Sequence, residues 1–113
     1  MIEADIISYL KNRTSAGANV FAERQKNSHA KFIIVEKTGS RRDNRVDSAT
    51  IAIQSYGATL LDAASLNEEV KAQMNAIVSL EVIGACHLNS DYNFTDQATK
   101  EYRYQAVFDI THY

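Results

Sequence analysis

The pair with the clearest chemical potential is Cys86 beside His87, with a second histidine, His112, near the end of the chain. A thiolate nucleophile served by an imidazole base uses these residue types. The surrounding pattern opposes that use. Cys86 alternates in phase with Val82, Leu88 and Tyr92, whereas His87 falls on the opposite side of the strand, and a nucleophile and its base must share a side. Cys86 is therefore read as a small core residue. A second grouping sets His87 and Asp91 on one strand face, with Asp109 across a hairpin. A metal would find two or three ligands there and no fourth, so the reading is a wetted polar sheet face.

Arg41, Arg42 and Arg45 form the only basic cluster, interleaved with Asp43 and Asp47. Guanidinium groups suit carboxylate and phosphate contacts. The stretch reads as a solvated loop, or as one that touches a partner surface or faces passing DNA. Four of the six tyrosines, Tyr92, Tyr102, Tyr104 and Tyr113, lie in the last quarter of the chain. They answer either to strand propensity or to an interface, where tyrosine joins apolar area to a polar tip. There is no glycine-rich phosphate loop, no HExxH and no GxSxG. No catalytic, cofactor-binding or metal residues are assigned, and the chain is expected not to be an enzyme.

Composition bounds what elements can position these residues. The 113 residues are one domain's worth, and 45% apolar content supplies a core. A net charge of −2 disfavours a dedicated nucleic-acid binder. A single cysteine permits no intrachain disulfide, and no apolar run is long enough to span a membrane. No secretory signal is read at the N-terminus, so the Asn-x-Thr triplets at Asn12 and Asn93 are taken as chance matches. Proline is absent, so other residues must make the turns.

Ile2, Ile6, Tyr9 and Leu10 have helical spacing. Val20–Arg24 and Lys31–Thr38 read as strands, with Lys26–His29 as the turn of a hairpin between them. Phe32 to Val35 is apolar on both faces, as in a central strand. Gly39–Asp47 reads as an exposed loop. Ala49–Tyr56 alternates as a strand that Gly57 ends. Ala63, Leu66, Val70, Met74 and Ile77 then form the stripe of a helix from Ala58 to about Ile77, with Ser65-x-x-Glu68 as an alternative cap inside it. Val82–Phe94 and Tyr102–His112 read as a long hairpin. The fold expected is α+β: a mostly antiparallel sheet of about five strands with two helices packed on one face, forming a single domain over residues 1–113.

The order of these patterns resembles the tail terminator (tail completion, minor tail) proteins of long-tailed bacteriophages. The features are the short N-terminal helix, Lys31-Phe32-Ile33-Ile34-Val35-Glu36-Lys37-Thr38-Gly39, the polar stretch after it, and Asp47 to Gly57. The helix Ala63-x-x-Leu66-x-x-x-Val70-x-x-x-Met74 follows, then Tyr92-x-Phe94-x-Asp96, Tyr102-Arg103-Tyr104 and the ending Thr111-His112-Tyr113. Ser40 stands where such proteins often carry a second glycine. The resemblance implies a structural protein of the virion tail, at its head-proximal end, assembled in the host cytoplasm. Its homo-oligomer, a hexameric ring, would cap the tail tube protein, stop polymerisation and offer a surface to a head-completion protein. DNA would pass through the ring without tight binding; no cofactor or membrane is implied. Arg41, Arg42 and Arg45, then Tyr102, Arg103 and Tyr104, are the expected contacts with neighbouring subunits or partners. A head–tail connector or head-completion protein, and a small non-viral ligand-binding domain, are the alternatives.

Overall fold

The computed structural model describes residues 1–25, 30–43 and 46–113. Helix α1 (Ile2–Leu10) is followed by a two-residue strand β1 (Val20–Phe21) and the long strands β2 (Phe32–Asp43) and β3 (Val46–Tyr56). Helix α2 (Leu60–Asn75), a 3-10 turn (Ile77–Ser79), β4 (Ile83–Asn93) and β5 (Arg103–His112) complete the chain. The sheet order is β1-β2-β3-β5-β4. All neighbours are antiparallel except β1 and β2, which are parallel. The fold is thus α+β, as its patterning predicts.

One face of the sheet makes the main core. Ile33 and Val35 of β2, Ile51 and Ile53 of β3, and Phe108 and Ile110 of β5 pack against Ile6 and Leu10 of α1 and against Leu66, Val70 and Met74 of α2. Both helices lie on this face because each turns one apolar stripe toward it. The Tyr9 hydroxyl donates to the Gln73 carbonyl at 3.0 Å and ties the two helices together. No helix among the described residues covers the opposite face. There Phe32, Ile34 and Tyr56 form a smaller buried cluster with Phe21. Phe32 to Val35 is therefore buried on both sides, as its unbroken apolar run requires.

Three local expectations are corrected. The first two strands do not form a hairpin: Val20 and Phe21 run parallel to Ile33 and Ile34. A parallel pair needs the chain to return before pairing, and Arg24, beyond Phe21, lies over the Phe32 and Tyr56 rings of the uncovered face. Lys26–His29 itself lies outside the described residues. Gly39–Asp43 and Val46–Asp47 are strand, not loop. They pair as Gly39↔Thr50, Ser40↔Ala49, Arg41↔Ser48, Arg42↔Asp47 and Asp43↔Val46. Backbone pairing satisfies this polar segment even though its β2 residues are all exposed. Helix α2 runs through Ser65 unbroken; its cap is Thr59, whose hydroxyl accepts the Asp62 N–H at 3.1 Å.

The third correction concerns β4, whose register shifts at Gly84 and again at Asn89. An extra residue in one strand inverts the alternation beyond it. Ile83, Cys86, Leu88 and Asp91 consequently share the helix-side register, opposite His112, Ile110, Phe108 and Ala106. Tyr92 has passed to the other face, opposite Gln105.

Candidate functional site

Cys86 is half-buried against the main core, and burial pushes its thiol up to about 11. A thiol held protonated is a weak nucleophile. His87 is exposed and pairs with Asp109 on the uncovered face. His112 lies at the far end of β5, opposite Ile83 and Asp47. The three candidates do not converge.

His87, Asp91 and Asp109 are likewise separated. The bulge at Asn89 sends Asp91 to the helix side while His87 and Asp109 stay on the other. Asp109 accepts a hydrogen bond from Asn89 Nδ2 at 3.0 Å. Asp91 Oδ2 accepts from Lys71 Nζ at 2.9 Å and from Asn67 Nδ2 at 3.0 Å. The Lys71 ammonium, followed by desolvation working against it and the Asn67 amide working with it, leaves the Asp91 carboxyl below its ordinary range. Lys71 in turn is raised, first by Asp91 and then by Glu68 at 2.9 Å. Among the described residues no group of three or more His, Cys, Asp or Glu side chains is placed to hold a metal.

Arg41 and Arg42 sit on the outer part of the β2–β3 ribbon, fully exposed and on opposite faces. Arg42 Nε lies 3.4 Å from the Asp47 carboxylate across the ribbon. Arg41 has no side-chain partner among the described residues. Arg45 lies outside them. β1 pairs only with Ile33 and Ile34 of β2, while on the other side β3 stays paired with β5 as far as Asp47. From Lys37 onward the outer edge of β2 is therefore unpaired among the described residues.

Arg103, expected to face a neighbour, is engaged inside the chain. Its guanidinium lies 4.5 Å from the Phe94 ring centre and 5.7 Å from that of Tyr56. Nη1 donates to the Tyr56 hydroxyl at 2.9 Å and Nε to the Phe94 carbonyl at 2.7 Å. Tyr102 and Tyr104 are half-buried to either side of it. Tyr56 stacks on Phe32 at 4.3 Å, and Arg24, ion-paired with Glu101, lies over both rings. From Tyr56 a chain of hydrogen bonds crosses the sheet. The Tyr56 hydroxyl donates to Gln54 at 3.0 Å, Gln54 to Gln105 at 3.0 Å, and Gln105 to the Tyr92 hydroxyl. Arg24, Tyr56 and the two glutamines were not singled out by sequence reasoning. Their alternation with buried neighbours is the only signal, and it does not reveal which strands adjoin.

Between α2 and β4 runs an open groove of about 420 Å³. Met74, Cys86 and Phe108 form its apolar floor, and Glu68, Lys71 and Leu88 border it. Leu88 is 46% exposed, Tyr92 on the other face of the same strand 41%, and Phe94 just past its end 40%. No helix of the described residues is long and apolar enough to cross a membrane.

Comparison with models of known protein families finds no match, and comparison with curated proteins finds none.

Proposed function

We propose that this chain is a structural subunit of the phage tail-terminator type, acting by shape and contact. It forms a ring, sixfold by the resemblance, on the head-proximal end of a finished tail tube. One rim fits the last ring of tube protein and stops further addition; the other receives a head-completion protein. The observation that carries the reading is the polar outer half of β2, whose outer edge has no paired strand among the described residues. Residues Glu36 to Asp43 are all exposed. An arm of this kind, an exposed and unpaired strand edge, suits contact with another molecule.

Three features support the same reading. The resemblance runs through nearly the whole chain in order. The convergent nucleophile, base or ligand set that an enzyme needs is not assembled by Cys86, His87, His112, Asp91 and Asp109. The net charge of −2 suits a ring through which DNA must pass and not lodge, because tight retention needs many cationic contacts.

The test adds the protein to tail tube protein under polymerising conditions and measures tube length by negative-stain microscopy. Short tubes, capped at one end by a ring with a central hole, are the expected result. Unaltered tube growth with no terminal density discards the terminator role. A ring that leaves tube growth unaltered would instead identify a head–tail connector.

A further inference from the structure

We infer that the open edge of β4 and the groove beside it receive the unpaired outer edge of β2 from a second copy of this chain, joining copies head to tail into one continuous sheet. The contact deepens the ring reading and relies on it only for closure.

The first observation is the state of β4. It is the outermost strand, eleven residues long, and among the described residues only its β5 side is paired. Exposed strand edges in monomers are ordinarily guarded by lysine, proline or a covering element. β4 contains no Lys, Arg or Pro. Two bulges and the inward-facing Asp91 are its guards, and between and beyond the bulges Ala85–Leu88 and Ser90–Asn93 remain regular pairing segments. The strand also exposes apolar side chains on both faces: Leu88 toward the α2 groove and Tyr92 on the other, with Phe94 just past its end.

The second observation is the other free edge. The β1–β2 pairing stops at Ile34, so β2 from Lys37 to Asp43 presents unpaired backbone groups on that side among the described residues. Side-chain chemistry selects this edge as the occupant. In a cyclic assembly every copy turns the same sheet face toward the axis, so helix-side face adjoins helix-side face. Arg42, which meets Asp47 at 3.4 Å, is on the helix side, where Glu68 at the groove border, paired with Lys71, keeps its side chain 71% exposed to a second cation. Arg41 is on the uncovered face, where Tyr92 and Phe94 offer exposed rings. That face already uses the same contact internally, with Arg103 over Phe94 and Arg24 over Tyr56. Pairing two arms together would instead bring Arg41 and Arg42 against their own copies, which like charge disfavours. Pairing two β4 edges would leave both arms unused.

The contact is heterologous, so it is tested with two variants that each keep one half. Leu88→Lys blocks the β4 edge and keeps the arm; Arg41→Glu with Arg42→Glu blocks the arm and keeps β4. All three side chains are exposed, and circular dichroism and thermal melting check that each variant folds. Sedimentation velocity is then run up to millimolar concentration. Wild-type protein is expected to assemble, each variant to sediment as a monomer, and an equimolar mixture to stop at a one-to-one dimer. A wild-type chain that stays monomeric overturns the inference, as do variants that assemble like wild type or a mixture that stays monomeric. Assembly of the arm variant alone, with loss only in Leu88→Lys, points to β4 pairing with β4 and overturns it too. Should a variant misfold, hydrogen exchange on the wild-type chain replaces it. Amides of both β4 and Lys37–Asp43 must slow as concentration rises, and protection of only one segment, or neither, refutes the contact. Tube capping is read separately: rings without capping discard the terminator role and keep this contact, and capping by a chain that is monomeric alone does the reverse.

Discussion

Lys71 and Asp91 meet across the boundary between α2 and the edge strand, Nζ to Oδ2 at 2.9 Å, and the extra residue at Asn89 is what brings Asp91 to that side. The pair, with Asn67, is the polar fastening of β4 to the helix layer. Its charges give a pH dependence with a definite sign. Asp91 is lowered in the folded state, so its contribution is full above the ordinary carboxylate range and is lost as pH falls through the depressed value. Lys71 is raised, so its contribution is full below the ordinary lysine range and is lost as pH rises through the elevated value. Both apply across neutral pH. Asp91→Asn should cost about 1 kcal/mol at pH 7 and flatten the acid limb of stability, measured by urea unfolding from pH 2 to 8. An unchanged acid limb would show that the fastening contributes nothing.

Cys86 should react slowly with iodoacetamide in the native state. With the thiol raised to about 11 by burial, the rate should climb with pH throughout the range 7 to 9 without levelling, while the urea-unfolded chain levels near the ordinary thiol value. Mass spectrometry of timed samples measures both. A plateau near pH 7 would indicate an activated thiolate and reopen a nucleophilic role.

Gly57 closes β3 where the chain turns into α2. A Cβ at this position would lie 2.5 Å from the Ala63 backbone nitrogen and 2.9 Å from the Asp62 carbonyl carbon. Neither backbone atom can yield without moving the start of the helix. Gly57→Ala should destabilise by about 1–3 kcal/mol, read from the urea midpoint. A neutral effect would mean that the β3–α2 junction relaxes freely.

Ser55 is fully buried in β3, and its hydroxyl has no hydrogen-bond partner among the described residues. Removing an unsatisfied buried hydroxyl removes a desolvation penalty. Ser55→Ala should leave stability unchanged or raise it by up to about 1 kcal/mol. A loss beyond that range would reveal a bond that this arrangement does not contain.

Arg103 binds Tyr56 and Phe94 through a planar fork that lies on rings and donates at its edge. Arg103→Ala should cost about 1–2 kcal/mol. Arg103→Lys should recover little, because an ammonium lacks the planar, multiply donating geometry. Thermal melting of both variants checks this, and recovery by lysine would reduce the role of Arg103 to charge alone.

Much of the architecture was legible in residue order. The 3.6-residue stripe of Ile2, Ile6, Tyr9 and Leu10 and that of Ala63 to Met74 mark the buried faces of the helices as they occur. The alternation from Tyr102 to His112 marks the faces of β5. Periodicity records only which side of an element is buried, and a single α-helical or extended backbone carries that information locally. The local pattern also separates Cys86 from His87, since adjacent strand residues point apart. Everything that depends on which strands adjoin, or on a shift in register, was decided by the assembled sheet. β1 pairs parallel to β2, and the relative direction of two strands leaves no local sequence period. Polar Gly39–Asp47 reads as loop because exposed ribbon and loop share the same composition; only cross-strand pairing distinguishes them. Asp91 left the company of His87 because one unpaired residue at Asn89 inverts a two-residue alternation, and a bulge exists only relative to a partner strand. Arg103 looked free on a polar face, yet Tyr56 and Phe94 arrive beside it from segments 47 and 9 residues away in the chain. Residue order determined the layers and their faces; tertiary pairing decided which side chains meet, because contact is a property of two segments at once.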